Sequence, residues 1–261
     1  MNIFQLVCET DLAMKQTFAA TESRPWGYLF SNRGNPLHYD ANHAHIHIAP
    51  APDQNESIVR EVVRFYSEKD IFPRFYLYGQ QEYQQLLDVL VHHQFRLEFF
   101  QTPVQVWTGA FAEVKPMSDI RIEPVTTENY EDFLLVESID EFGGRAVREK
   151  AFALEFRNTA YRHYLLRWKG EPASTACLFR AGDCVRVESV ATVAGYRGQG
   201  LIGHLLRHVQ EQFARMGAAH LLVCPINEQV EKVYQRYGFD TVGHLPFVHA
   251  FRGGKGIHEI R

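Results

Sequence analysis

Between a strand-like run ending at Thr192 and the strongest apolar helical stripe in the chain lies the segment Tyr196-Arg197-Gly198-Gln199-Gly200-Leu201-Ile202-Gly203. A glycine loop that opens a helix exposes several unpaired backbone N–H groups where the helix dipole also favours negative charge, and its glycines let a phosphate approach the backbone. The segment reads as a cradle for a pyrophosphate. Gly198, Gly200 and Gly203 also spell G-x-G-x-x-G, but a dinucleotide fold wants more parallel strands on either side. Here an antiparallel run precedes the loop and only about 60 residues follow it. A P-loop closes on Lys-Ser/Thr, whereas this loop closes on Leu201-Ile202, which argues against nucleotide hydrolysis. His43, His45 and His47 alternate along one strand and share a face. No carboxylate or cysteine recurs near them at ligand spacing, so a polar strand face is expected and no metal site.

The glycine segment resembles the pyrophosphate-binding motif of the GNAT N-acetyltransferase superfamily, Arg/Gln-x-x-Gly-x-Gly/Ala, with Arg197 first and Gly200 fourth. The resemblance extends upstream through RVESVATVAGYRGQG, similar to that family's fourth strand entering its cofactor loop. Downstream it reaches Asn227, Tyr234 and Tyr237-Gly238-Phe239, and in all it covers Ile120 to Gly253. The sixth motif place holds Ile202, with the glycine displaced to Gly203. A branched side chain there can point away while its backbone N–H donates. The resemblance implies acetyl-CoA as co-substrate, held by Val190, Ala191, Thr192, Arg197, Gly198, Gln199, Gly200, Leu201, Ile202, Gly203 and Asn227. It implies Tyr234 as general acid toward the departing thiolate. Glu188 is the candidate base, placed by strand alternation on the face of Val190 and Thr192. Each has a plainer reading beside it: Glu188 as a solvent-facing or salt-bridged strand residue, Asn227 as a helix N-cap, and Tyr234 as a core aromatic.

The elements that must position these groups follow from periodicity. HYLLRW, ASTACLF and VRVESVAT are strand-like runs separated by Lys169-Gly170-Glu171 and Ala181-Gly182-Asp183, which predicts an antiparallel meander. Leu201, Leu205, Leu206, Val209, Phe213 and Met216 stripe a helix, Leu221 to Cys224 is a buried strand, and Val230, Val233, Tyr234 and Tyr237 stripe a second helix. A final strand pair is expected from Asp240 to Phe251. The first half gives strand, helix, strand, helix, strand from HAHIHIA onward, and VHHQFRLEFF echoes QRYGFDTVGH with Phe95 in the place of Phe239. The segment from Gly109 to Asp119 is the candidate linker.

The expected fold is therefore α/β, with two GNAT-like units, each a mixed, mostly antiparallel central sheet flanked by helices. A degenerate unit spans 1–110 and the acetyltransferase unit 118–261. In the first unit the cradle would fall at APAPDQNE, where Pro50 and Pro52 remove N–H donors and Leu90 replaces the tyrosine. As in tandem members of the family, that half is expected to shape or cover the acceptor site. With 261 residues, 46% of them hydrophobic and 22% charged, the composition is that of a globular chain. A net charge of −4 with scattered Lys and Arg argues against nucleic acid as partner. The absence of a long apolar run argues against a membrane and for the cytoplasm. Cys8, Cys177, Cys184 and Cys224 lack paired spacing and are expected to be reduced. The expected activity is N-acetylation of a primary amine of a small molecule or peptide. A protein N-acetyltransferase and a non-catalytic acyl-CoA-binding or regulatory module are the alternatives. Glu137, Asp140 and Glu141 form an acidic loop that would draw a cationic acceptor.

Overall fold

The computed structural model describes residues 2–78 and 83–260. In chain order the elements are α1 (Ile3–Phe18), β1 (Ala20–Arg24), β2 (Gly27–Ser31), β3 (His43–Ile46), α2 (Asn55–Ser67), β4 (Arg74–Tyr78), α3 (Gln84–His92) and β5 (Arg96–Trp107). There follow β6 (Ile120–Pro124), α4 (Tyr130–Glu137), α5 (Gly144–Glu155), β7 (Tyr161–Trp168), β8 (Glu171–Ala181) and β9 (Cys184–Thr192). The chain closes with α6 (Leu201–Ala214), β10 (His220–Val223), α7 (Glu228–Arg236), β11 (Phe239–Phe251) and α8 (Ile257–Ile260).

Two compact units result, and neither is one stretch of chain. The first comprises Met1–Met14, Thr102–Ile139 and Gly144–His244; the second comprises Lys15–Gln101, Asp140–Gly143 and Leu245–Arg261. Both are mixed, mostly antiparallel sheets flanked by helices.

In the first unit β6, β7, β8 and β9 form the antiparallel meander, and β10 adds to β9 in parallel. Leu201, Leu205, Leu206, Val209 and Phe213 all lie on the buried stripe of α6, because a 3.6-residue period returns them to one face. They pack on Tyr164, Leu166, Ala176, Leu178, Val185 and Val187, together with Tyr234 of α7 and Phe239. On the other face α4 and α5 bring Phe133 and Phe152 against His163 of β7.

The order of strand senses in one half of the chain is repeated in the other. β1, β2 and β3 are antiparallel neighbours, β3 and β4 are parallel, and the next pairing is antiparallel; β7, β8, β9 and β10 follow the same order. The last strand of each half is exchanged. Beside β10 lies β5, with Leu222 opposite Val106 and Val223 opposite Gln105. Beside β4 lies β11, from Phe247 opposite Tyr78 to Phe251 opposite Arg74. The strand pair expected over Asp240 to Phe251 is thus a single long strand. The partner it lacks locally comes from a distant part of the sequence.

In the second unit His43 and His45 are buried rather than forming a polar strand face. His43 stacks on Tyr76 with ring centroids 3.9 Å apart, and His45 lies against Tyr78. His47 follows the end of β3 and is exposed.

Candidate active site

The glycine segment occupies the junction of β9 and α6. A 3-10 turn, Ala194–Tyr196, leaves the strand end, and Gly198 and Gly200 then take φ of 77° and 81°. That left-handed region is open to glycine at little cost, and it turns successive N–H groups toward the helix mouth. Among the described residues, the backbone N–H groups of Gly198, Gln199, Gly200, Leu201 and Ile202 have no hydrogen-bond partner in the protein; the first bond of the helix runs from the N–H of Gly203 to the carbonyl of Gly200. A side chain added at Gly198 or Gly200 would meet nothing within 4 Å. The concavity is therefore open, donor-rich and at the positive end of a four-turn helix, which fits a pyrophosphate. Arg197 folds back, its Nε donating to the carbonyl of Thr192 at 3.1 Å, and ties the loop to the strand.

Gly203 has a different task. A Cβ there would lie 2.7 Å from the Tyr237 ring and hydroxyl, so this glycine lets Tyr237 close on α6. Ile202 packs partly against the core, leaving its N–H at the mouth of the helix. The displacement of the motif glycine is thus a packing adjustment between α6 and the end of α7. Gln210 fixes the same corner, its Nε2 donating to the carbonyl of Tyr237 at 2.6 Å and its Oε1 accepting from the N–H of Ala112 at 2.7 Å.

β9 and β10 pair only from Cys184 to Arg186, after which β9 continues to Thr192 with no ladder to β10. The two parallel strands part here, leaving an open edge on β9 from Val187 onward. Ser189 stands at φ 49°, and the register to β8 slips between Cys177 opposite Glu188 and Thr175 opposite Ala191. This is a one-residue bulge. It overturns the shared face expected for Glu188, Val190 and Thr192. Val190 packs with Val187 toward α6, and Thr192 bonds Ser174 across the strands at 2.9 Å. Glu188 faces the other way with Cys177, where its carboxylate pairs with the guanidinium of Arg186.

Tyr234 is buried in the core against Phe239, ring centroids 5.6 Å apart. Burial, and then the negative charge of Glu188, push its hydroxyl above the usual phenol range, so it stays protonated. Asn227 caps α7, its Oδ1 accepting from the N–H of Val230 at 2.9 Å. The cap is exposed at the end of the segment leaving β10.

The acidic loop does not hold together. Glu137 ends α4 fully buried, accepting from Nε of Arg148 at 2.9 Å, while Arg148 also binds Glu155. Burial pushes the Glu137 carboxyl up to about 7 against the opposing pull of Arg148. Asp140 and Glu141 form a short turn counted with the second unit. Glu137 is thus a buried carboxyl bound to Arg148 rather than part of an exposed acidic loop.

Two residues beside Glu188 lie outside the motif reading. Asp11 of α1 lies 3.1 Å from Nη1 of Arg186, and both belong to the first unit. The signal was present in the buried stripe Leu6, Val7, Thr10 and Asp11, a helical repeat that carries one carboxylate inward.

Residues 126–239 match the family model described as acetyltransferase (GNAT) family. The chain carries a GNAT acetyltransferase domain. A GCN5-related N-acetyltransferase from Kribbella flavida is similar over 100% of both chains, at 18% identity and a TM-score of 0.71. A functionally unknown conserved protein from Staphylococcus epidermidis ATCC 12228 matches over 91% of this chain and 95% of its own, at 12% identity and a TM-score of 0.71. A tandem GNAT protein from the clavulanic acid biosynthesis pathway matches over 95% of this chain and 89% of its own, at 12% identity and a TM-score of 0.57. At these identities the three show the fold alone. No curated protein matches the chain in sequence. No helix among the described residues is long and apolar enough to cross a membrane.

Proposed function

We propose that the GNAT domain transfers an acetyl group from acetyl-CoA to a primary amine of a small molecule or peptide. The carrying observation is the run of unpartnered N–H groups from Gly198 to Ile202 at the mouth of α6, beside the open edge of β9. Acetyl-CoA, when bound, supplies the thioester. The loop amides would hold its pyrophosphate, with Arg197 fixing the loop and Asn227 flanking the pantetheine arm. Backbone N–H groups on the parted edge of β9, in the stretch Val190, Ala191 and Thr192, would polarise the acetyl carbonyl.

An amine is mostly protonated near neutral pH, so one proton must leave its nitrogen before the lone pair attacks. Glu188 would accept it, directly or through water. The C–N bond would then form and the C–S bond break, with the thiolate leaving beside Tyr234; the second proton on nitrogen would pass, through water, to that thiolate and give the CoA thiol. A tyrosine held protonated by burial donates a strong hydrogen bond, but full transfer to a thiolate with an ordinary thiol pKa near 8.5 is uphill. Tyr234 therefore acts mainly by hydrogen bonding.

The test is release of CoA thiol over a panel of primary amines and amino-terminal peptides. Amine-dependent release is expected. Binding of acetyl-CoA with no transfer to any member would favour the non-catalytic reading instead.

A further inference from the structure

Arg186 and Glu188 are two residues apart on β9, ahead of the Ser189 bulge, and share the face turned toward α1, α4 and α5. The guanidinium serves two carboxylates. Its Nη1 is 3.1 Å from Asp11 Oδ1, and its Nε meets Glu188 Oε1. Side-chain exposure rises from 8% at Asp11 through 13% at Arg186 to 23% at Glu188, so the row runs from the interior outward to the candidate base. Charges so placed are screened far less than surface pairs, and each alters the ionisation of the next.

We propose that Asp11 is a positioning residue that holds Arg186 and, through it, sets the aim and charge state of Glu188. The proposal rests on the reading of Glu188 as base. A guanidinium ion-paired with Glu188 alone would hold its proton affinity down and make it a poor acceptor. A second carboxylate on the same guanidinium takes up part of that charge and fixes the planar fork, as one Arg bridging two carboxylates can. The first helix of the chain thereby contributes to the chemistry of a domain whose motif residues all lie beyond residue 180.

The other groups around Glu188 are accounted for. Cys177 faces it from β8, Tyr234 from α7 and Cys224 from the end of β10; burial raises all three, Cys224 to about 11, so they stay neutral in acid. Glu137, Glu155 and Arg148 of α4 and α5 act on Cys177 from behind. Glu137, raised to about 7, gives its own labelled signal and is followed separately from Glu188.

The experiment follows the side-chain carboxyl carbons of ¹³C-labelled glutamates by NMR against pH, with the Glu188 signal assigned by its loss in Glu188→Gln. Asp11→Asn should lower the Glu188 titration by about one pH unit, since its cation is then uncompensated, and Arg186→Gln should raise it. If Asp11→Asn does not fold, Arg186→Gln is compared with the double variant Asp11→Asn/Arg186→Gln, which leaves neither charge buried alone. Because Asp11 acts through Arg186, those two should titrate together. A Glu188 titration unchanged from wild type in Asp11→Asn, or a double variant that titrates away from Arg186→Gln, overturns the proposal. The base reading is judged separately by the acid limb of kcat/KM, which Glu188→Gln should abolish; a limb that survives refutes Glu188 as base whatever the titrations show.

Discussion

Tyr234 places the sharpest demand on a single atom, because its ring is core packing and only its hydroxyl is available for chemistry. Tyr234→Phe keeps the contact with Phe239, so melting temperature and acetyl-CoA affinity should stay close to wild type. Turnover should fall by about 10²–10³-fold, the usual loss when a hydrogen bond to developing negative charge is removed. Near-full turnover, under conditions where chemistry limits the rate, would assign the hydroxyl no catalytic part. The places of Tyr234, Asn227 and the glycine loop in the fold follow from local spacing: one on the buried face of α7, one at its N-cap, one opening α6. Glu188 was legible as a residue but not as a direction. Nothing in Val187, Glu188, Ser189 and Val190 marks a bulge, and one extra residue reverses every face that follows. Glu137 was misread because an Arg eleven residues on neutralises it only after α4 and α5 pack.

Elements striped at helical period were readable: α6 and α7 lie where their apolar spacing puts them, as does the meander of β7, β8 and β9. α1 was less legible, because its buried stripe includes the polar residues Thr10, Asp11 and Lys15, and the charged partners of Asp11 and Lys15 lie far along the sequence. Gly203→Val tests the contact between elements. A Cβ 2.7 Å from Tyr237 cannot be accommodated without moving the ring, and the strain should cost about 1–3 kcal/mol of stability in thermal or denaturant unfolding. In the second unit, α8 depends on Glu98. Burial alone would raise this carboxyl, but bonds from His249 Nδ1 and the N–H groups of Ile257 and His258 outweigh it and bring it from 4.5 down to about 2. A lowered carboxyl stabilises the fold fully above its unfolded value and loses that contribution as pH falls through the folded one. Glu98→Gln should therefore cost about 1–2 kcal/mol at pH 7, discounted for solvent screening, with the difference from wild type closing as pH falls from 4.5 toward 2. Hydrogen exchange at Ile257–Ile260 should report the same loss locally. A constant difference across that range would show that the charge of Glu98 is not what holds the helix.

At the scale of the whole molecule, the duplication was visible in the echo between Phe95 and Phe239, but the exchange of β5 and β11 was not. Strand partners far apart in sequence leave no local period. The exchange makes a prediction about pieces. Residues 118–261 expressed alone lack α1 and β5, so β10 would present an apolar, unpaired edge. This fragment should melt without cooperativity or aggregate, whereas a cooperative, soluble fragment would show that β5 is dispensable to its unit. One donor-rich loop, opening α6, is proposed to bind acetyl-CoA. Calorimetric titration of the full chain with acetyl-CoA measures this directly. One equivalent per chain is expected, and Gly200→Glu should abolish binding, because it sets a carboxylate in the pyrophosphate position and forces a side chain into left-handed backbone. Two equivalents per chain, or binding by Gly200→Glu at wild-type affinity, would contradict it.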